Sequence, residues 1–174
     1  MSETAEAVIV IPTFNERDNL RTLVEEVLAL PYALAVVIVD DNSPDGTGRI
    51  ADALSADRED VHVLHRMENR GRGYAGAEGF VYCLKQGFDP ILEMDADFSH
   101  DPRYIPKMLE EAEHWDVVIG SRGVEGGGES GRGPLRTAIT AGAAAYLRLM
   151  LGLRGVRDPT SGFRCFRRLS LIHI

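Results

Sequence analysis

The segment AVIVIPTFNERDNLRTLVEEVLALPYALAVVIVDD, residues 7–41, contains the pattern that decides the fold. Its two short runs of β-branched residues, at 7–11 and 35–39, predict buried strands. Between them, apolar side chains recur at helical spacing over residues 16–30, and Pro31 marks the end of the predicted helix. A strand, a helix and a second strand in this order are typical of a parallel sheet covered by helices.

The same alternation continues through the rest of the chain. We predict further strands at 61–64, 90–94 and 117–119. We predict helices after the turn-rich DDNSPDGT up to about residue 54, over 73–86, from Asp101-Pro102 onward, and over 135–153. These elements predict an α/β fold with a mostly parallel sheet flanked by helices, in a single domain over residues 1–168. In such a sheet, the loops at the carboxyl ends of the strands form the ligand site.

The composition excludes several classes of protein. The chain has 174 residues, of which 44% are hydrophobic and 26% charged, the balance of an ordinary globular protein rather than a disordered or fibrous one. Cys83 and Cys165 are too few for a disulfide framework, fit a reduced cytosolic setting and are expected to be small buried apolar residues. The acidic start MSETAEA lacks the layout of a signal peptide, and no uncharged apolar run is long enough to predict a membrane span.

The charge is distributed unevenly along the chain. The formal net charge of −8 argues against general nucleic-acid binding. From Ser121 onward, however, nine arginines stand against three acidic residues, which leaves the first 120 residues with a net charge of −14. We interpret this asymmetry as two tasks, a front half that holds a metal and a back half that binds anionic oxygens. Solvated surface charge is the alternative reading for any single residue.

Acidic residues follow three of the predicted strands. Asn15-Glu16 follow the first strand, Asp40-Asp41 the second, and Asp95-Ala96-Asp97 the fourth. A D-x-D at a strand end lets two carboxylates converge on Mg or Mn, which bind to one or two carboxylates together with substrate phosphates. Paired acids also occur as helix caps and in solvated turns. The apolar run ILEM, which leads directly into Asp95, favours a pair anchored at the edge of the sheet.

Five motifs occur in a fixed order: IPTFNE (11–16), VDDNSPDGT (39–47), MDADFSHDP (94–102), GSR (120–122) and DPTSGFRCF (158–166). Together they resemble the family 2 glycosyltransferases of the GT-A fold (nucleotide-diphospho-sugar transferase-like), and within them the polyprenyl-phosphate (dolichyl-phosphate) mannose synthases. The resemblance extends from about residue 8 to residue 168. It implies an inverting, metal-dependent transferase that moves mannose from GDP-mannose to a polyprenyl phosphate and forms a β-linked lipid phosphomannose. It also implies a peripheral position at the cytoplasmic face of the inner membrane.

The resemblance also implies the roles of individual residues. The residues assigned to the GDP-sugar donor are Pro12, Phe14, Glu16, Val39, Asp41, Asp95, Ala96 and Asp97. The residues assigned to Mg or Mn are Asp95, Asp97 and Ser99. Three of these have a second reading from the sequence, since Glu16 also suits the first turn of a helix, Asp41 a turn and Ser99 a helix cap. His100 is left out of the metal set because imidazole matches a hard oxygen site poorly.

The acceptor residues lie in the arginine-rich half. The resemblance assigns the acceptor phosphate to Arg122, Arg136 and Thr140, and it assigns catalytic roles to Asp95, Asp97, Arg122 and Arg136. Arg136 and Thr140 share one face of the predicted helix, although a solvated helix arginine has the same spacing. The residues implied in shaping the sugar pocket are Asp158, Ser161, Gly162 and Arg164.

Several alternatives remain at this stage. The same fold accepts another sugar nucleotide, such as UDP-glucose, or a saccharide acceptor, but a saccharide hydroxyl needs a general base and TSGFR supplies no obvious carboxylate. A nucleotidyltransferase normally has a glycine-rich loop after the first strand, where this chain has PTFNE. A non-catalytic sugar-nucleotide binder is a third alternative.

Two segments of the second half carry predictions of their own. Residues 135–153 form an apolar helix with spaced arginines, which suits either the headgroup plane of a membrane or a buried core position. The last six residues, LSLIHI, match one reading frame of a transposon-end sequencing adapter. We therefore expect residues 169–174 to be non-native and the domain over 1–168 to be truncated at its C-terminus.

Overall fold

The computed structural model of the chain describes residues 5, 7–68, 71–121, 134–152, 156 and 158–172. The strands in these residues are β1 (Ala7–Thr13), β2 (Leu34–Asp40), β3 (Val61–His65), β4 (Ile91–Glu93), β5 (Val117–Ile119) and β6 (Arg164–Phe166). The α-helices are α1 (Leu20–Leu28), α2 (Thr47–Asp57), α3 (Arg72–Gln86), α4 (Ile105–Ala112), α5 (Pro134–Leu151) and α6 (Arg168–Ile172). A short 3-10 helix, Pro102–Tyr104, precedes α4.

The described strands form one mixed sheet in the order β3-β2-β1-β4-β6-β5. β1 pairs in parallel with β2 and β4, and β2 pairs in parallel with β3. β6 is antiparallel to both of its neighbours, β4 and β5. The predicted α/β fold with a mostly parallel sheet and flanking helices is confirmed. The sequence pattern does not predict β6, because a three-residue strand inside DPTSGFRCF is too short to show a period.

The central strands are apolar along their whole length because both faces of the sheet are covered. Every residue of β1 and β2 is buried, as expected for parallel strands between two helical layers. Ile9 and Ile11 pack with α1 and α4 in the larger core cluster. Val8 and Val10 pack in the smaller cluster with residues of α3. One strand therefore supplies both halves of the core.

Helix α1 begins later than the sequence pattern predicts. The carbonyl of Glu16 accepts hydrogen bonds from the N–H groups of Asn19 and Leu20, and regular helix starts only at Leu20. The first turn of α1 contains no acidic residue, so the helix-dipole reading of Glu16 is wrong. Glu16 instead belongs to the loop between β1 and α1.

The two cysteines lie on opposite faces of the sheet. Cys83 and Cys165 are both fully buried and both are free thiols. Burial raises the pKa of each thiol to about 12, so both stay protonated at neutral pH. The prediction that they are small buried apolar residues is confirmed.

The chain order of the strands creates a switch point beside β1. The connection through α1 leads from β1 to β2 on one side, whereas α3 leads back across to β4 on the other. In an open sheet of this kind, a crevice forms at the carboxyl ends of the two strands where the order reverses. The site is therefore expected just beyond Thr13 and Glu93. Within the described residues, no helix is both long and apolar enough to span a bilayer.

Candidate functional site

A cleft of about 290 Å³ opens at the carboxyl ends of β1, β2 and β4. Its lining consists of Pro12, Thr13, Phe14, Glu16, Asp41, Arg72, Ala75, Asp95, Ala96 and Asp97. The structure thus brings together all the predicted donor residues except Val39. Val39 is fully buried in β2 and faces Gly79 of α3, so it supports the wall of the cleft from behind.

Two of the sequence motifs are joined by hydrogen bonds along one wall of this cleft. In the IPTFNE loop, the N–H groups of Asn15 and Glu16 donate to the hydroxyls of Ser43 and Thr47 at 3.0 and 2.9 Å. These contacts hold the Glu16 carboxylate at the mouth of the cleft. The Phe14 side chain is half exposed beside it and adds apolar surface to the lining of the cleft.

Asp41 is held from behind by a buried ion pair. Arg66 Nη1 lies 2.6 Å from Asp41 Oδ1, and the two side chains are only 4% and 8% exposed. Arg66 Nε also donates to Glu78 at 2.8 Å, and the N–H of Gly71 donates to Asp41 Oδ2. The Asp41 side chain also lines the cleft from this position. The pair fastens the loop after β3 to the end of β2.

Asp95, the first aspartate of the D-x-D, is bound on two sides by protein groups. Arg72 Nε donates to Asp95 Oδ1 at 2.6 Å, and Arg72 Nη2 lies 2.5 Å from the same oxygen. The N–H of Asp95 donates to Nδ1 of His100 at 2.9 Å, and the His100 ring stacks on Phe163 with centroids 5.0 Å apart. His100 therefore positions the D-x-D backbone through a ring nitrogen that must be unprotonated.

Asp97, the second aspartate, is stabilised in its charged form by its own turn. Burial acts to raise its pKa, but hydrogen bonds from the hydroxyl and the N–H of Ser99 hold the pKa below its usual value. The Ser99 N–H lies 2.9 Å from Asp97 Oδ1. The reading of Ser99 as a helix cap is wrong, because Asp101 caps the following 3-10 helix by accepting from the N–H of Arg103.

The chemistry of this donor set fits a hard divalent cation that arrives with a phosphate. Among the described residues, no three His, Cys, Asp or Glu side chains come together as a closed metal cage. Asp95 and Asp97 offer two carboxylates at an open cleft, which is the kind of partial oxygen site that Mg and Mn complete with phosphate oxygens and water.

The segment implied in shaping the sugar pocket is held by hydrogen bonds within itself and to the end of β5. Ser161 Oγ donates to the carbonyl of Gly120 at 2.6 Å, and Thr160 Oγ1 donates to Asp158 Oδ1 at 2.8 Å. Arg164 Nε donates to the carbonyl of Ser161 at 2.6 Å. These bonds brace the turn that leads into β6. Gly162 lies nearer the cleft, against the Arg72–Asp95 pair.

The predicted acceptor residues are less fully defined. Arg122 lies outside the described residues. Arg136 and Thr140 lie in α5, and their side chains are outside the described part of the chain. Their contact with the acceptor phosphate stays a prediction from the resemblance.

Arg66 and Arg72 are functional candidates that sequence reasoning missed. Both arginines follow β3, and the segment RMENRGRG places three arginines in eight residues directly after a predicted strand end. That cluster of positive charge, at the edge where the acidic residues gather, is the signal that could have identified them. Their partners lie 25 and 23 positions away in the chain, so the pairing itself depends on the strand order.

A family comparison agrees with this arrangement. Residues 8–174 match the family described as glycosyl transferase family 2. The chain belongs to this family. The match confirms the resemblance carried by the five motifs, and it covers both walls of the cleft.

Similar proteins of this family carry mannosyltransferase names. The chain is 40% identical over 167 residues to a polyprenol monophosphomannose synthase of Mycolicibacterium smegmatis, covering 95% of this chain and 63% of that protein. It is 42% identical over 158 residues to an undecaprenyl-phosphate mannosyltransferase of Micrococcus luteus, covering 91% of this chain and 65% of that protein. The chain thus spans slightly under two thirds of the length of these relatives.

A solved structure shares the fold. A glucosyl-3-phosphoglycerate synthase from Mycobacterium tuberculosis, crystallised with Mn²⁺, UDP and glucosyl-3-phosphoglycerate, superposes with a TM-score of 0.70 at 18% identity. The match covers 95% of this chain and 57% of that one. The predicted GT-A architecture of this family 2 member is confirmed.

Proposed function

We propose that this chain forms the donor-binding part of an inverting, metal-dependent mannosyltransferase that uses GDP-mannose and a polyprenyl phosphate. The observation that carries the proposal is the single cleft that gathers Glu16, Asp41, Asp95 and Asp97 from three strand ends. Relatives at 40% and 42% identity, named for polyprenol and undecaprenyl-phosphate mannosyl transfer, support the choice of sugar and acceptor.

The nucleotide is assigned to the wall of the cleft where the loop after β1 is hydrogen-bonded to the segment after β2. Glu16 and Asp41 present carboxylate oxygens, which accept hydrogen bonds from a base edge or from ribose hydroxyls. Guanine offers N–H donors on its Watson–Crick edge, so acidic acceptors suit it. Phe14, an exposed aromatic residue in the lining of the cleft, suits contact with a flat ring. The Arg66–Asp41 pair keeps this wall in place before the donor arrives.

The diphosphate is assigned to the D-x-D side of the cleft. Asp95 and Asp97 would hold Mg²⁺ or Mn²⁺, with Ser99 close behind Asp97. A bound divalent ion neutralises the diphosphate and stabilises it as a leaving group. The lowered pKa of Asp97 keeps this carboxylate ionised at neutral pH. His100 keeps the backbone of Asp95 oriented toward the cleft.

The acceptor needs no general base from the protein. A lipid phosphate is already ionised at pH 7, so its oxygen attacks the anomeric carbon directly while the bond from that carbon to the diphosphate breaks. Attack from the opposite face inverts an α-linked donor into a β-linked product. The task of the protein is to hold two anions in line and to neutralise them. We assign the acceptor phosphate to Arg122, Arg136 and Thr140.

A peripheral position at the cytoplasmic membrane face completes the proposal. Among the α5 side chains that the structure describes, Ala144 is buried, whereas the apolar Ile139, Tyr146, Leu149 and Met150 are 59–77% exposed. This exposure favours the headgroup plane over a buried core position. Arg148, also exposed on α5, suits contact with lipid phosphate.

Calorimetric titration with Mn²⁺ tests the donor, and a transfer assay tests the acceptor. GDP-mannose and UDP-glucose are titrated separately, and each is then offered with a short polyprenyl phosphate. We expect binding of GDP-mannose and a β-linked lipid phosphomannose as product. Preferential binding of UDP-glucose would support the alternative donor. Binding of neither sugar nucleotide in the presence of Mn²⁺ would refute the assignment of the cleft to a sugar-nucleotide donor.

A further inference from the structure

Arg72 is bonded to Asp95, the first aspartate of the D-x-D, which is also assigned to the metal. It is the first residue of α3, and its guanidinium contacts Asp95 Oδ1 through both Nε and Nη2, at 2.6 and 2.5 Å. Its remaining nitrogen, Nη1, lies 3.7 Å from Oε1 of Glu93, which is 7% exposed. Both Arg72–Asp95 contacts are made to Oδ1, so a cation on either oxygen of this carboxylate would lie close to the positive guanidinium.

Two positive groups cannot share this oxygen without strong repulsion. At 3–4 Å, like charges repel each other by several times the thermal energy unless water or a counter-charge separates them. A divalent ion on the Asp95 carboxylate would therefore weaken its pairing with Arg72 and favour release of the guanidinium. Glu93 lies behind the pair and offers Arg72 a second carboxylate at the back of the cleft.

The surroundings of Arg72 allow it to move. Its side chain is 47% exposed and lines the cleft together with Asp97 and Phe14. Gly162 also contacts the guanidinium. A Cβ atom at this position, as in any larger residue, would lie 2.5 Å from Arg72 Nη2, so only glycine leaves room for the guanidinium there. A free guanidinium at this place has a natural new partner, because it binds phosphate oxygens through two parallel hydrogen bonds.

We propose that Arg72 is an exchangeable counter-cation of the D-x-D, which holds Asp95 in the empty site and transfers to the diphosphate when metal and sugar nucleotide bind. This inference rests on the proposed function, since it takes a nucleoside diphosphate as the ligand. Arg72 thereby opposes binding of the metal alone and favours binding of the metal together with the diphosphate. By linkage, it makes the two ligands bind cooperatively.

Manganese binding to the variant Arg72→Met tests the exchange without any measurement of turnover. Methionine keeps much of the length of the side chain and removes the charge. The matched control is Arg21→Met, because Arg21 has 49% side-chain exposure and pairs with Glu25 outside the cleft. Free Mn²⁺ is measured by electron paramagnetic resonance at pH 7.5, first without nucleotide. GDP and UDP are then titrated by calorimetry at saturating Mn²⁺.

We expect Arg72→Met to bind Mn²⁺ alone at least about threefold more tightly than the wild type, because a competing ion pair is lost. We expect it to bind the nucleoside diphosphate about tenfold more weakly at saturating Mn²⁺, because two charge-assisted hydrogen bonds are lost. Arg21→Met should change neither value. Arg72→Lys should retain most of the competition with Mn²⁺, because it keeps the charge. Lys should restore only part of the diphosphate affinity, because it lacks the planar fork.

Other results would overturn the exchange. If Arg72→Met weakens binding of Mn²⁺ alone while its circular dichroism spectrum is unchanged, Arg72 merely orients Asp95. If both affinities match those of the wild type, the ion pair is a surface contact without a role in the site. If Arg72→Met misfolds, Arg72→Lys provides the test: it must bind Mn²⁺ alone nearly as the wild type does and the nucleoside diphosphate more weakly, and a diphosphate affinity equal to that of the wild type would overturn the exchange. The choice between GDP and UDP by the wild type tests the proposed donor separately, since the effect of Arg72 concerns the diphosphate common to both.

Discussion

Breaking the Arg66–Asp41 pair should destabilise the fold far more than breaking an exposed pair of the same chemistry. The two side chains are 4% and 8% exposed, so removal of either partner leaves a charge in a largely buried place. Such a loss typically costs about 3–5 kcal/mol. Glu78 still pairs with Arg66 and is 53% exposed, so Asp41→Asn should fall near the lower end, about 3 kcal/mol.

A double-mutant cycle isolates the contribution of the pair. The free energy of unfolding is measured by urea denaturation, followed by far-UV circular dichroism, for Asp41→Asn, Arg66→Met and the double variant. We expect a coupling energy of about 2–3 kcal/mol, because the double variant removes both charges and leaves neither unpaired.

The chain offers a matched control for this cycle. Arg58 and Asp60 form a two-point pair at 2.9 and 2.8 Å, with side chains 44% and 36% exposed. The cycle of Arg58→Met and Asp60→Asn should yield about 0.2–1 kcal/mol. Equal coupling energies for the two pairs would refute the argument that burial, rather than hydrogen-bond geometry, decides the energy of the Arg66–Asp41 pair.

Three further predictions concern metal binding, pH dependence and the membrane. Asp97→Asn should weaken Mn²⁺-dependent binding of GDP-mannose by about 1–3 kcal/mol in calorimetry, because a charged ligand becomes neutral; unchanged metal dependence would contradict the D-x-D assignment. Burial raises the pKa of Glu93 above its ordinary 4.5, so this side chain stabilises the fold at low pH and loses that contribution as the pH rises through its folded pKa. The stability of Glu93→Gln relative to the wild type should therefore increase from pH 4 to pH 7 in urea denaturation, and a flat difference would exclude the effect of burial. In liposome flotation, binding should require anionic lipid and should decrease in Arg148→Gln, whereas binding independent of both would remove α5 from the interface.

The predicted bounds of the helices and strands agree with the structure where the local sequence carries a clear signal. The strand predicted at 117–119 coincides with β5, and the predicted helix over 73–86 differs from α3 by one residue at its start. Helix α3 has a clear end signal in Gly87, and β5 is a run of three β-branched residues, whereas β6 offers neither signal. The predicted start of α1 is too early because the backbone N–H groups of Glu16 and Arg17 donate to side chains of Thr47 and Asp45, which holds these residues in the loop before the helix.

The sequence by itself determined the fold class, the family and most of the candidate cleft. Buried β-branched runs alternating with amphipathic helices are local signals, and an acidic residue directly after such a run lies at the carboxyl edge of a parallel sheet whatever the strand order. The positions of Glu16, Asp41, Asp95 and Asp97 along the chain are therefore sufficient to assign all four to one edge.

Tertiary structure decided which groups surround those acids. The antiparallel β6 exists because β4 and β5 both pair with it, and it brings Gly162 against Arg72. The Arg66–Asp41 and Arg72–Asp95 pairs join residues 25 and 23 positions apart, and Val39 is set behind the wall by the close approach of α3 at Gly79. These contacts depend on strand order and on the room between packed elements. The strand order and the space between packed elements cannot be predicted from local periodicity, because both arise only when distant segments of the chain pack into one core.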